Sequence, residues 1–337
     1  MTRSLPRSLP RRVTCGLLVL LATLAAPGPR KPATPHVAGA HPTTGTSQAG
    51  ARVAAPIPPY YIETLRARRY PGGPLAIGAA LVRGGGFTTY RITWPSGGRT
   101  MTGSLEVPDG RGPFPVVVIA HGYVEPAYYT VGLDSWRYGD ALAAHGFLVA
   151  APDYPDYAGS ASGPAGMPAS VAAAVATLDL ISSLGSFSRA DRSRIALIGH
   201  SQGGEVAMLV MVVDPHVRAV ALFAPDSSDM ADNARRWWGD NPAEAGALGT
   251  PDQNPVGYAH ISPRRYFRRG GPPVLLVQGT ADEEIPAAWT TATYDALRRA
   301  GVRTRLVWIP GAPHIMVGSD LTTEVATAEA WLRQALR

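Results

Sequence analysis

The chain has 337 residues, of which 45% are hydrophobic and 17% are charged, and this composition supports a large core and excludes a disordered chain. The formal net charge is +6, but six of the 31 basic residues lie within residues 1–31, where no acidic residue occurs, and the other 25 balance the 25 acidic residues. A basic surface for nucleic acid is therefore not supported.

The amino terminus has the pattern of an export signal. Arginines precede an apolar run over residues 13–26, which is shorter than the roughly 20 residues that span a bilayer. We predict a signal peptide at residues 1–26 and a secreted protein with no stable membrane partner after cleavage; an uncleaved anchor is the alternative. The one cysteine, Cys15, lies inside this signal, so cysteine catalysis, disulfides and cysteine-ligated metals are excluded from the mature protein.

The rest of the chain divides into a linker and one domain. Residues 27–59 are rich in Pro, Thr, Ala and Gly without apolar periodicity, which indicates a flexible linker. From residue 60 to 337, short apolar runs alternate with helical patterns. The predicted strands are 88–94, 100–107, 116–120, 147–151, 195–199, 217–223, 274–278 and 303–309. The predicted helices are 135–145, 170–184, 202–213, 287–300 and 322–335.

This order predicts an α/β fold. A hairpin followed by strand–helix units gives a mostly parallel open sheet with helices on both faces. The central runs lack polar alternation, as expected of strands that are covered on both faces. The long interruption at residues 224–271 has no long helical pattern and is interpreted as a short lid-like insertion.

A candidate nucleophile lies between a predicted strand and a predicted helix. Ser201 stands in the pattern Gly199-His-Ser-Gln-Gly203. A tight strand-to-helix turn crowds the backbone, needs both glycines, and holds the serine hydroxyl clear of the sheet within reach of a base. The N–H groups at the start of the helix can stabilise a developing oxyanion. The pattern therefore predicts a serine nucleophile.

From residue 88 to 337 the chain resembles the α/β-hydrolase superfamily, and within it the dienelactone-hydrolase and prolyl-oligopeptidase catalytic-domain branch. The segments that carry the resemblance are the nucleophile turn, 115–123, 151–154, 278–286 and 310–314. The resemblance implies the fold, hydrolytic chemistry without a metal or organic cofactor, and a triad in the order serine, acid, histidine.

The serine needs a histidine base and a carboxylate that orients the base. His314 follows the last predicted strand, at the end of the sheet where Ser201 emerges, which is where the superfamily places its base. Asp282 follows strand 274–278 and is the predicted orienting acid. Asp226, after strand 217–223, remains the rival, because some members of the superfamily draw the acid from that strand.

An oxyanion needs two backbone donors. One is predicted to be the N–H of Gln202, directly after the nucleophile. The resemblance implies the N–H of Tyr123 as the other, from a loop that begins at His121. Four aromatic side chains in neighbouring loops are interpreted either as walls of a substrate cleft or as loop core: Tyr128, Trp136, Trp237 and Trp238.

Other polar residues beside these motifs receive simpler interpretations. The side chain of His200 is expected to turn away from the serine that follows it. Glu283 and Glu284 are expected to be solvated neighbours of the predicted acid.

Together these features favour a secreted serine hydrolase that cleaves small or polymeric carboxylic esters through an acyl-enzyme. A prolyl-oligopeptidase-like peptidase is one alternative, although the signal and linker leave no room for the propeller that usually precedes that domain. An acyltransferase and a catalytically silent binding protein on the same fold are the others. No residue spacing supports a metal site or a nucleic-acid partner.

Overall fold

A computed structural model describes residues 58–238 and 245–337, and nine strands within these ranges form one sheet. The predicted signal peptide and most of the predicted linker lie outside the described residues. In chain order the strands are β1 (Ala76–Gly84), β2 (Phe87–Ser96), β3 (Arg99–Pro108), β4 (Phe114–Ala120), β5 (Leu148–Pro152), β6 (Ala190–His200), β7 (Val217–Phe223), β8 (Val274–Gly279) and β9 (Thr304–Ile309).

The strands lie in the order β1-β2-β3-β5-β4-β6-β7-β8-β9. The pairs β1/β2, β2/β3 and β3/β5 are antiparallel, and every pair from β5/β4 to β8/β9 is parallel. The predicted mostly parallel sheet is confirmed. Because the parallel strands all run the same way, the loops that follow β4, β6, β7, β8 and β9 gather at one edge of the sheet.

Helices cover both faces of the sheet. The α-helices within the described residues are α1 (Ile62–Ala67), α2 (Trp136–Ala144), α3 (Ala169–Ser183), α4 (Gln202–Val213), α5 (Met230–Asn233), α6 (Pro255–Ile261), α7 (Ala287–Arg299) and α8 (Gly318–Ala335). Residues of α3, α4 and α7 pack into one hydrophobic core, and residues of α2 and α8 pack into a second core on the opposite face.

Strand β4 explains why the central strands are apolar throughout. Val116 and Val118 point into the core beneath α3 and α4, whereas Val117 and Ile119 point into the core beneath α2 and α8. Successive side chains of a strand alternate between faces, so a strand buried on both faces has no polar positions to alternate. All four side chains are at most 1% exposed.

Helix α3 belongs to this buried architecture. Among the described helices, the segment Ala169–Ser186 has the length and hydropathy of a membrane span, yet 78% of it is buried inside the protein. It packs against α4 and β2, so its apolar character follows from its place in the core.

The edge strand β1 was not predicted from the sequence. Eight of its nine residues are exposed, and its pairing with β2 is interrupted by register shifts between Ile77 and Ala80 and between Ala80 and Val82. Because neither face of β1 packs on a core, its sequence lacks the alternation of apolar and polar residues that marks a strand.

The segment between β7 and β8 contains short elements. Its described part holds α5, a π-helical turn at Ala234–Trp238, α6 and a 3-10 turn at Pro263–Arg265. Asn233 in α5 and Ser170 in α3 both donate hydrogen bonds to the buried carboxylate of Glu205 in α4. This network fixes the start of the segment to the body of the domain.

Candidate active site

The turn between β6 and α4 has the tight geometry that its glycines predict. Ser201 has φ 53°, in the left-handed region that a residue with a Cβ rarely adopts. A Cβ on Gly203 would lie 2.0 Å from the carbonyl oxygen of Ala120, and one on Gly199 would lie 2.3 Å from the carbonyl oxygen of Gly203. No side chain fits at either position, so both glycines are required for this turn.

His314 and Asp282 form a hydrogen-bonded pair in the loops after β9 and β8. Nδ1 of His314 lies 3.1 Å from Oδ2 of Asp282, and the two side chains are 6% and 2% exposed. The Asp282 carboxylate also accepts the backbone N–H groups of Glu284 and Ile285, each at 2.9 Å, and the side-chain amide of Gln278.

These donors decide the charge of the carboxylate. Burial alone would raise the pKa of Asp282, but the hydrogen bond from His314 and the backbone N–H donors outweigh it and hold this pKa below its usual range. The carboxylate is therefore ionised and positioned to hold the imidazole with its proton on Nδ1.

Ser201 and His314 open into the same cavity, at the edge of the sheet where the parallel strands end. The cavity has a volume of about 580 Å³. Its walls combine apolar and polar side chains: Gly122, Tyr123, Val124, Asp134, His200, Ser201, Gln202, Asp226, Trp237, Trp238, Glu283, Glu284, His314 and Ile315.

The loop after β4 is held rigidly beside this cavity. Nδ1 of His121 lies 2.7 Å from the carbonyl oxygen of Gly122 and donates to it. The peptide that follows is trans, so the N–H of Tyr123 lies on the side opposite that carbonyl and is directed away from the His121 ring. Gln202, directly after Ser201, is the first residue of α4, where a backbone N–H has no partner within the helix.

The ring of His121 is fixed in one protonation state. It is fully buried among the rings of three tyrosines. Burial lowers the pKa of His121 to about 4, although its hydrogen bond to Gly122 and the charge of Asp134 oppose this effect. Neutral His121 therefore donates from Nδ1 across the neutral pH range.

Asp226, the predicted rival acid, also lines the cavity. It is 5% exposed, and its Oδ1 has no hydrogen-bond partner among the described residues. Burial raises the pKa of Asp226 to about 7, against the lowering effects of a hydrogen bond from Trp237 and the charge of His314. The His314 side chain is therefore bonded to an ionised Asp282 and faces an Asp226 that is largely protonated below neutral pH.

Two family models match parts of the sequence. The prolyl oligopeptidase family matches residues 176–337, and chlorophyllase matches residues 99–230. No curated protein matches the sequence.

Solved structures of both esterases and peptidases are similar to this fold. Acetyl xylan esterase 1 from a Thermoanaerobacterium species is 16% identical with a TM-score of 0.60, over 83% of this chain and 94% of that one. S-formylglutathione hydrolase from Agrobacterium tumefaciens is 20% identical with a TM-score of 0.60, over 77% and 99%. Dipeptidyl peptidase 4 from Porphyromonas gingivalis is 20% identical with a TM-score of 0.56, over 81% and 37%. The chain therefore has the α/β-hydrolase fold.

The chain covers different shares of these neighbours. It covers nearly the whole length of the two hydrolases but only 36–42% of the matched peptidases. The likeness to the peptidases therefore concerns one part of those longer chains.

The aromatic residues predicted for a substrate cleft divide into two pairs. Trp237 and Trp238 line the cavity, and Trp238 also packs against Tyr258. The prediction is wrong for Tyr128 and Trp136, which are 79% and 52% exposed and are absent from the cavity wall. Tyr128 ends a 3-10 turn in the loop after β4, Pro126–Tyr128, and Trp136 is the first residue of α2.

Two polar residues take part in the candidate site in ways that the sequence interpretation missed. His200 lines the cavity, and its ring stacks on the His314 ring with centroids 5.0 Å apart. Glu283 is exposed, yet its carboxylate accepts the backbone N–H of His314 at 3.2 Å. In residues 58–238 and 245–337, no group of three or more His, Cys, Asp or Glu side chains is arranged to hold a metal ion.

Proposed function

We propose that this α/β hydrolase is a serine hydrolase that cleaves carboxylic esters through an acyl-enzyme. The observation that carries the proposal is the shared cavity of Ser201, on its strained turn, and His314, held by Asp282. The prolyl oligopeptidase model, which spans all three residues, supports the serine hydrolase part of this proposal but not the choice of ester over peptide.

In the proposed mechanism Ser201 Oγ attacks the acyl carbon while Nε2 of His314 takes the serine proton, since Nδ1 is bound to Asp282. The tetrahedral oxyanion accepts hydrogen bonds from the N–H groups of Gln202 and Tyr123. Its collapse breaks the bond to the alcohol, which leaves with the proton from His314. Water then attacks the acyl-enzyme while His314 takes one of its protons. The second intermediate collapses with loss of the bond to Ser201 Oγ, His314 gives the proton to that oxygen, and the acid is released.

The cavity wall favours esters with an apolar group close to the carbonyl. The apolar and aromatic side chains of this wall are Tyr123, Val124, Trp237, Trp238 and Ile315. A pocket of this kind binds an acyl or aryl group through hydrophobic contact. Ester cleavage also depends less on general acid catalysis than peptide cleavage does. An alkoxide or phenolate leaves more readily than an amine, which must be protonated as the intermediate collapses.

Peptide cleavage is the second candidate. It is favoured by the prolyl oligopeptidase model over residues 176–337 and by the structural likeness to peptidases. The ester proposal predicts that short p-nitrophenyl esters are hydrolysed with a kcat/KM at least about a hundredfold above that of prolyl or aminoacyl p-nitroanilides, a difference of roughly 2.7 kcal/mol in barrier. Equal values for the two substrate classes would favour the peptidase.

Covalent labelling tests the nucleophile independently of substrate class. A fluorophosphonate should modify one serine of the native protein, and mass spectrometry should find the adduct on Ser201. Ser201→Ala should abolish labelling and nearly all turnover. The exposed Ser193, at the far end of β6, provides the control, since Ser193→Ala should change neither. An adduct on another serine would refute the assignment.

We also propose that the protein is exported, on the basis of the basic and apolar pattern of residues 1–26. Expression in a bacterial host followed by amino-terminal sequencing of the exported fraction tests this. Full-length protein that stays with the membrane would favour the uncleaved anchor.

A further inference from the structure

The carboxylate of Asp134 joins two segments of the candidate site. Its Oδ2 accepts the backbone N–H of Gly122 at 2.9 Å and the Nδ1–H of His200 at 3.0 Å. Gly122 belongs to the loop that precedes Tyr123, and His200 directly precedes Ser201. Asp134 therefore ties the predicted oxyanion loop to the nucleophile turn.

The same carboxylate is linked to the loop of the predicted base. Its Oδ1 lies 3.5 Å from the guanidinium of Arg137, which donates a hydrogen bond to the carbonyl oxygen of Met316. Met316 is two residues after His314. In addition, the His200 ring that Asp134 holds stacks on the His314 ring at an interplanar angle of 30°. Two routes, one through each oxygen, thus lead from Asp134 to His314.

Asp134 adopts this position against a backbone cost. It has φ 69°, in the left-handed region, where glycine carries no penalty and aspartate carries a modest one. The residue is 9% exposed, so the carboxylate also loses most of its hydration. The donors compensate: burial would raise the pKa of Asp134, but the charge and hydrogen bond of His200, the N–H of Gly122 and the charge of Arg137 hold it well below the usual range.

We propose that Asp134 is a positioning residue for the hydrolytic step, whose carboxylate sets the oxyanion loop, the nucleophile turn and the His314 ring in register with one another. This inference rests on the proposed serine hydrolase function. Asp134 acts through Gly122, His200 and Arg137, and it has no part in bond making itself.

The proposal predicts a loss in kcat and little change in KM. Substrate contacts the apolar cavity wall whether or not the three loops are in register. The transition state, in contrast, needs the Tyr123 N–H, Ser201 Oγ and His314 Nε2 within a few tenths of an ångström of their working positions. Loss of the carboxylate should therefore weaken binding of the transition state much more than binding of the substrate.

The test uses the variant Asp134→Asn. The matched control is Asp140→Asn, in the helix α2 that follows Asp134. Asparagine tolerates the left-handed backbone, but one of its donors must face either Arg137 or the pair of N–H groups, whichever way the amide turns. We expect kcat for p-nitrophenyl acetate, per site titrated with fluorophosphonate, to fall about 10- to 100-fold, with KM within threefold. Asp140 is exposed, and its variant should keep both constants.

A second variant, Asp134→Gly, relieves the left-handed backbone and keeps the test valid if asparagine impairs folding. It should show the same loss of kcat per titrated site. In a double-mutant cycle, His200→Gln added to Asp134→Asn should cost much less than its effect in the native background, because the two residues act as one unit. Losses that multiply independently would overturn the proposal.

The outcomes separate this inference from the function on which it rests. If Ser201→Ala keeps its turnover, the serine hydrolase assignment is wrong. If Ser201→Ala is inactive while Asp134→Asn and Asp134→Gly keep kcat within twofold per titrated site, the function stands and the positioning role is wrong. A rise in KM at constant kcat would also contradict the positioning role.

Discussion

Two carboxylates beside His314 differ in charge because their surroundings differ. Asp282 receives N–H donors from its own loop and from His314, and these lower its pKa. Asp226 has an oxygen without a hydrogen-bond partner in the described part of the chain, and burial raises its pKa to about 7. An orienting acid must remain ionised to stabilise the imidazolium, so the residue-scale electrostatics favour Asp282.

We therefore expect Asp282→Asn to lower kcat by about two to four powers of ten, because the imidazole loses its oriented tautomer and its counter-charge. Asp226→Asn should lower kcat by less than about tenfold, since the amide is nearly isosteric with a protonated carboxyl. Steady-state kinetics at pH 6, where Asp226 is largely protonated, compare both variants with the native protein. The reverse ranking would assign the acid to the loop after β7.

At the scale of elements, the close approach of the β6–α4 turn to the end of β4 determines the geometry of the nucleophile turn. We expect Gly203→Ala to lower kcat at least about a hundredfold, since its Cβ would meet the Ala120 carbonyl at 2.0 Å and displace Ser201. Overpacking of this kind costs about 1–3 kcal/mol, so Tm should fall by several degrees.

Gly163→Ala is the control for this prediction, because its Cβ would make contacts of 3.5 Å at an ordinary backbone angle. Kinetics and thermal unfolding of the two variants provide the comparison. Full activity in Gly203→Ala would mean that the turn has room that the structure does not indicate.

Elements could be predicted from the sequence where packing in the fold restricts which residue types fit. Strands buried on both faces and the glycines of the nucleophile turn leave local patterns. β1 leaves none, because its side chains are exposed on both faces. The partners His200 and Asp134 are 66 residues apart, so no local spacing connects them. The side-chain alternation of β6 could have predicted where the His200 ring lies. His200 falls on the same face as Ala196 and Ile198, which pack towards α2.

At the scale of the whole molecule, buried acids make stability depend on pH. Burial raises the pKa of Glu324 in α8 to about 8, against the charge of Arg137, and that of Asp226 to about 7. Acids with raised pKa values bind protons more tightly in the folded state, so their contribution to stability is complete at low pH and is lost as the pH rises through about 7 and 8.

We accordingly expect the Tm of the native protein to fall between pH 6 and pH 9, and Glu324→Gln to reduce this fall. The gap in Tm between variant and native protein should widen in favour of the variant by at least about 2 °C across this range. Glu329→Gln, on the same helix, is the control: ion pairs with His145 and Arg333 lower the pKa of Glu329 despite partial burial. Scanning calorimetry at each pH provides the measurement. If the Tm of both variants changed with pH as the native Tm does, the prediction would be wrong.

The irregular pairing of β1 has a consequence for concentrated solutions of the protein. A regular edge strand presents an even row of free N–H and C=O groups, on which a second copy can add its own edge and begin to aggregate. β1 is rich in apolar residues, and Ile77, Leu81 and Val82 are exposed, so a straight version of this strand would be a strong template for such addition. The pairing of β1 with β2 contains two register shifts within nine residues, and this makes the spacing of the free N–H and C=O groups uneven. We therefore expect this edge strand to resist self-association, and expect deletions that restore an even register to promote aggregation.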